Sequence, residues 1–209
     1  VQGAARGVQE TDRMISTVIF DLGNVFAFHD NTKLFARMAQ AFGSTPEAMK
    51  TRLDSGLWAR VNTGQLPGDA LRRELVARLG AHVSVAEWLE VWNCHFTIHA
   101  EQVALTERLV GRVKLVLLSN THDQHFAYLR PRLPILERFD ACILSNEVGH
   151  VKPAPAIYEA ALRAVTCRPE DAVFFDDVPA FAEAASALGL QGRVYTTAER
   201  CAQQLVELG

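Results

Sequence analysis

Three short apolar runs, each ending in a polar residue, constrain the fold of this 209-residue chain more than any other feature. Thr17-Val18-Ile19-Phe20 stops at Asp21, Lys114-Leu115-Val116-Leu117-Leu118 at Ser119-Asn120-Thr121, and Ala172-Val173-Phe174-Phe175 at Asp176-Asp177. Each run is short, β-branched or aromatic, and apolar on consecutive positions, the pattern of strands buried on both faces. Ala141-Cys142-Ile143-Leu144 and Arg193-Val194-Tyr195 read as two further strands. Helical patterns over 101–112, 122–130, 154–166 and 179–188 separate these strands. The expected class is therefore α/β, a Rossmann-like parallel sheet with helices on both faces.

Residues 30–100 break the alternation. Asn31 to Phe42 carries Leu34, Phe35, Met38, Ala39 and Phe42 on one helical face. Ser44-Thr45-Pro46-Glu47 opens a second helix, with a capping hydroxyl and proline in the first turn. Leu66 to Leu79 and Val85 to Phe96 continue the pattern across Gly80, with no strand expected. Roughly 70 residues of helix exceed any ordinary crossover and predict an inserted small α-helical cap domain. The expected organisation is a tail over 1–13, a core of 14–29 plus 101–209, and a cap of 30–100. Residues 1–13 show no clear pattern and read as a disordered tail, with Met14 as a natural start.

Composition narrows the function classes. A formal charge of −3 supplies no basic face for nucleic acid. No apolar run approaches the roughly 20 residues of a membrane span. Cys94, Cys142, Cys167 and Cys201 form no C-x-x-C pair, which argues against structural zinc and for a reducing, cytoplasmic setting.

In a parallel sheet the carboxyl ends of the strands share one edge, where such folds bind ligands. Asp21, Ser119-Asn120, Lys152 in the loop after 141–144, and Asp176-Asp177 should converge there. Two or three carboxylates suit a hard divalent cation, Mg²⁺ foremost. A hydroxyl and an amide orient phosphate oxygens, and a lysine neutralises charge on a transferring group.

Asp21-Leu22-Gly23-Asn24-Val25, Ser119-Asn120, Lys152-Pro153 and Phe174-Phe175-Asp176-Asp177 together resemble the four ordered motifs of the haloacid dehalogenase-like (HAD) hydrolase superfamily. The match spans nearly the whole chain from Met14. It is most similar to the sugar-phosphatase branch typified by bacterial α-glucose-1-phosphatase. The helical insertion resembles that branch's small cap, and the segment from Trp58 to Leu66 is similar to its conserved cap sequence. The resemblance implies a Mg²⁺-dependent phosphatase acting on a small phosphorylated substrate. Asp21 would be the nucleophile, forming an aspartyl-phosphate. The Asp21 carboxylate, the Gly23 carbonyl and Asp177, with Asp176 nearby, would hold the metal. Ser119 and Asn120 would bind phosphoryl oxygens, and Lys152 would neutralise both the phosphoryl group and Asp21.

The chain departs from that family at two positions. Most such phosphatases carry an acid–base aspartate where this chain has Gly23, and a proton-transferring group is worth about 10²–10⁴-fold. His29 and Asp30, close in sequence, are the candidate surrogates. Phe181 stands where an acidic or amide residue is common, which predicts a weaker shell around the metal. Two other readings stay open: a dehalogenase cleaving carbon–halogen bonds without metal, and a member that only binds a ligand or partner. Trp58, Trp88 and Trp92 read as cap core, Cys94, His95 and His99 as non-ligating, and His122, His125 and Tyr128 as helix surface.

Overall fold

The computed structural model describes residues 14–209, so the expected tail over 1–13 lies outside the described residues. Five parallel strands form the central sheet: β1 (Thr17–Phe20), β4 (Lys114–Ser119), β5 (Ala141–Leu144), β6 (Ala172–Asp176) and β7 (Gln191–Val194). Two shorter strands, β2 (Ala27–His29) and β3 (Phe96–Ile98), pair antiparallel with each other. In chain order the helices are α1 (Asn31–Phe42), α2 (Pro46–Arg52), α3 (Trp58–Asn62), α4 (Gly68–Leu79), α5 (Val85–Asn93), α6 (Ala100–Leu109), α7 (Asp123–Leu129), α8 (Ser145–Val148), α9 (Pro155–Val165), α10 (Pro179–Ala187) and α11 (Ala198–Glu207).

The sheet order is β5-β4-β1-β6-β7, with β1 central and paired in parallel to both β4 and β6. The chain winds outward from β1 in both directions, so the crevice at its carboxyl end is the switch point where such sheets bind ligands. Strand alternation divides the core between the two faces. Val18, Phe20, Leu115, Leu117, Val173 and Phe175 pack on the face of α6 and α11. Ile19, Val116, Leu118, Ala172 and Phe174 pack against α9 and α10.

The insertion has its own apolar core, built from Leu34, Met38, Met49, Leu71, Trp88 and Trp92 among others. Its helices obey local signals. Asp30 caps α1 by accepting from the Lys33 amide at 3.1 Å, and Gly43 closes that helix in the left-handed conformation. Thr45 caps α2 through the Ala48 amide at 3.2 Å. The insertion is tied to the sheet domain through α7: the Gly68 amide donates to Asp123, and Trp88 Nε1 donates to Gln124 at 2.8 Å.

The structure differs from expectation in three places. Phe96 leaves the expected helix because its segment pairs with Ala27–His29, a long-range contact that overrides an apolar helical pattern. The final strand runs over 191–194, two residues earlier than read, since Gly192 and Gln191 pair with Phe174 and Val173 despite weak strand propensity. Helix α11 was not expected; Thr197 caps it and Cys201 anchors it in the core.

Gly192 sits where β7 meets α10, and a Cβ there would lie 1.9 Å from the Ala182 carbonyl oxygen and 2.5 Å from Ser186 Oγ. Overpacking of this kind costs about 1–3 kcal/mol. Gly192→Ala should therefore lower the urea midpoint by a corresponding amount. An unchanged midpoint would show that α10 is free to shift away from the sheet.

Candidate active site

The carboxyl end of β1 carries Asp21, whose backbone N–H still bonds to the Phe175 carbonyl at 2.9 Å, extending the β1–β6 ladder. The chain then turns sharply at Leu22-Gly23-Asn24, with the Phe26 amide returning to the Leu22 carbonyl. Asn24 takes a positive φ of 53°, a conformation asparagine tolerates better than most residues. That conformation sends its side chain across to Asp177, where Nδ2 donates to Oδ2 at 2.8 Å.

Lys152 is the hub. It is 3% exposed, and its Nζ lies 2.7 Å from Asp21 Oδ1 and 2.6 Å from Asp176 Oδ2. Asn120 fixes the lysine from the main chain: its Oδ1 accepts from the Lys152 amide at 2.7 Å and its Nδ2 donates to the Lys152 carbonyl at 3.1 Å. Its side chain is thus largely committed to Lys152, with one amide hydrogen remaining for a ligand. Phe181 and Phe174 flank the ammonium, with ring centroids 5.3 and 5.4 Å away. Phe181, where the sequence predicts a weaker shell around the metal, makes a cation–π contact with Lys152.

Asp176 is fully buried, accepts from the Val178 amide at 2.9 Å through Oδ1, and meets Lys152 through Oδ2. Asp21, Asp176 and Asp177 each present a carboxylate oxygen within 4.8 Å of the others, and they form the one such cluster among the described residues. Three carboxylates facing a single lysine leave excess negative charge in a buried place, the donor set of a hard divalent cation. Asp21 registers the imbalance. Burial, opposed by Lys152 and reinforced by Asp176, raises its carboxyl to about 6.

Ser119 is buried at the end of β4. The loop beyond it is pinned by Ser145, whose hydroxyl accepts from the Thr121 amide and donates to the Thr121 carbonyl, both at 3.0 Å. Sequence reasoning missed Ser145 and the role of Asn24. Ser145 had no signal in its neighbourhood, whereas Asn24 stood inside a motif and in a turn position that favours asparagine.

Every site residue expected from the sequence therefore lies at one edge of the sheet. Of the two candidate surrogates for the acid at Gly23, the structure separates one from the other. Asp30 is engaged as the α1 cap. His29 occupies the space a side chain at position 23 would enter: a Cβ on Gly23 would lie 3.3 Å from His29 Cε1, 3.4 Å from Nδ1 and 3.6 Å from Asp21 Oδ2. His95 and His99 join no metal-holding group among the described residues. His99 Nδ1 lies 3.1 Å from the Val25 carbonyl, and Cys94 is a free thiol. His122 and His125 are corrected from surface to interior. Both are buried against Trp92, because α7 packs its first turn onto the insertion rather than into solvent.

The description "haloacid dehalogenase-like hydrolase" belongs to the family model that matches residues 15–189. The D-ribitol-5-phosphate phosphatase of Bacteroides thetaiotaomicron is 27% identical over 176 residues, covering 78% of this chain and 84% of the relative. The glyceraldehyde 3-phosphate phosphatase of Methanothermobacter thermautotrophicus is 25% identical over 230 residues, covering 90% of each. Among solved structures, a HAD-family enzyme of Bacteroides thetaiotaomicron in complex with magnesium and inorganic phosphate superposes with a TM-score of 0.78 at 25% identity. The match covers 87% of this chain and 93% of that one.

The raised carboxyl of Asp21 has a consequence for stability. Between its unfolded value of 3.8 and about 6, the folded state binds more protons than the unfolded state, so metal-free stability falls as pH rises through that window. Asp21→Asn removes the penalty. In chelator, the variant should melt higher than the parent at pH 7.5, and the gap should close toward pH 4. A gap independent of pH would mean that Asp21 is not the group under strain.

Proposed function

The chain belongs to the haloacid dehalogenase-like hydrolase family, and on that premise we propose a Mg²⁺-dependent phosphatase of small phosphorylated metabolites, sugar phosphates foremost. The observation that carries this reading is the cluster of Asp21, Asp176 and Asp177, the first two of which meet the buried Lys152. The phosphatase names of two relatives and the magnesium and phosphate in the similar structure support it. A cytoplasmic setting is part of the same reading, on the scattered cysteines.

Asp21, Asp177 and the Gly23 carbonyl would hold Mg²⁺, with Asp176 nearby. The ion would offset repulsion between an anionic nucleophile and an anionic phosphate. The remaining work falls to the chain itself. Lys152 holds Asp21 at the mouth of the crevice and neutralises charge gathering on the phosphoryl oxygens. Ser119 and the remaining Asn120 hydrogen orient those oxygens. Asp21 attacks phosphorus, a P–O bond forms to its carboxylate, and the P–O bond to the leaving group breaks. Water then attacks the aspartyl-phosphate, releasing phosphate and restoring Asp21. The helices of 30–100 act as the cap that covers this crevice and excludes bulk water.

Phosphate release from an aryl phosphate and a panel of sugar phosphates, with Mg²⁺ and with chelator, tests the reading. Release should require the metal and fall to background in Asp21→Asn. Metal-independent halide release from 2-haloacids would replace the phosphatase by a dehalogenase. No turnover above the Asp21→Asn background on any substrate would leave a binding protein.

His29 supplies the proton transfer that Gly23 cannot, as donor to the leaving oxygen and then as base toward water. His29→Gln should lose about 10²-fold or more on alkyl phosphates and far less on an aryl phosphate, whose leaving group needs little protonation. Gly23→Asp combined with His29→Ala should restore much of the alkyl activity, because it returns a carboxyl to the space the imidazole vacates. Equal losses on both ester types, or no rescue, would remove His29 from the chemistry.

A further inference from the structure

Beside Ser119-Asn120-Thr121 lies a cavity of about 230 Å³, walled by the sheet domain on one side and by the insertion on the other. The volume is below the roughly 300–1,000 Å³ of pockets for drug-sized ligands, which suits a short leaving group. Its lining contains no Asp, Glu, Lys or Arg among the described residues. Beyond Ser119, Asn120 and Thr121, its polar lining comes from the amides of Asn31 and Asn62 and from imidazoles, with Trp58 as an aromatic wall.

The imidazoles differ in the contacts they make. His125 Nε2 lies 3.0 Å from the Trp92 carbonyl, so Nε2 carries the hydrogen and Nδ1 remains an acceptor. His122 Nδ1 lies 3.5 Å from both the His125 amide nitrogen and Asp123 Oδ1, and Nε2 on its other edge has no partner among the described residues. His95 Nδ1 is likewise buried and unpartnered among the described residues. His122 is 1% exposed and His95 3% exposed, and an unpaired polar atom at such depth is satisfied by a partner that enters the cavity. Burial holds the rings neutral: His95 is lowered to about 4, and His122 and His125 also fall below their ordinary value.

Neutral donors and acceptors side by side match hydroxyl groups, which both donate and accept. A carboxylate or second phosphate accepts only, and would be desolvated against a lining that holds no lysine or arginine to pair it. We propose that Asn62, His95, His122 and His125 form a leaving-group subsite that selects phosphate monoesters of short, uncharged polyhydroxy alcohols and rejects esters carrying a second anionic group. This assignment rests on the phosphatase reading above and specifies the substrate class of that site.

The test compares a four- or five-carbon alditol phosphate with the aldonate phosphate of equal length, which differs only in a terminal carboxylate. The parent protein with Mg²⁺ should favour the alditol ester by at least about tenfold in kcat/KM. Asn62→Lys, which places a cation in the wall, should narrow or invert that ratio. His95→Phe should raise KM for the alditol ester more than for an aryl phosphate. Equal or reversed preference in the parent, or an Asn62→Lys ratio like the parent's in a folded protein, overturns the subsite while leaving the phosphatase standing. No release from any ester, aryl phosphate included, overturns both.

Discussion

Lys152, buried between Asp21 and Asp176, is the contact on which the rest of the structure depends. An ammonium this deep is tolerated only with opposite charge in hydrogen-bond range, and two carboxylates provide it. Those carboxylates come from β1 and from β6, and the lysine from the loop beyond β5 and α8. One ion triad thereby fixes the ends of three separate segments of chain. Asn120 locks the lysine's main chain, and Phe174 and Phe181 close over the ammonium.

The triad is also deliberately unbalanced. Asp177, held by Asn24, adds a third carboxylate with no further lysine to meet it. The excess charge suits a cation, while burial, opposed by Lys152 and reinforced by Asp176, pushes the Asp21 carboxyl upward in the metal-free protein. On the proposed reading, nucleophile, metal locus and charge-neutralising lysine arise from one electrostatic arrangement. The uncharged cavity next to it is a different environment, with neutral imidazoles and amides where the first site has ions. The two environments meet at Gly23, Ser119 and Asn120, which line the cavity.

Much of this was legible before any coordinates. The strands β1, β4 and β6 announce themselves by apolar runs that end in polar residues, and that ending places Asp21, Ser119 and Asp176 on one edge. The apolar spacing over 31–42 predicts helix α1 to the residue, and the structure adds Asp30 and Gly43 at its ends. Agreement among local signals is what makes a segment readable. Helix α11 escapes the reading despite its local Thr197 cap, but two other differences involve partners far away in sequence. Phe96 is a strand because Ala27–His29 lies alongside it. His122 and His125 are interior because Trp92, some 30 residues earlier, packs on them.

Position 23 shows the division most plainly. The sequence by itself determined that a glycine stands where a side chain could do acid–base work, and that four polar segments share one end of a parallel sheet. Periodicity and strand endings are local properties, so a single chain of letters carries them. Only the tertiary structure decided that the vacant volume at Gly23 is filled by His29 and that Asp30 is spent on a helix cap. Which side chain enters a space depends on the packing of β2 against β3 and of the insertion against the sheet. That packing is a sum over distant contacts, and no stretch of sequence records it.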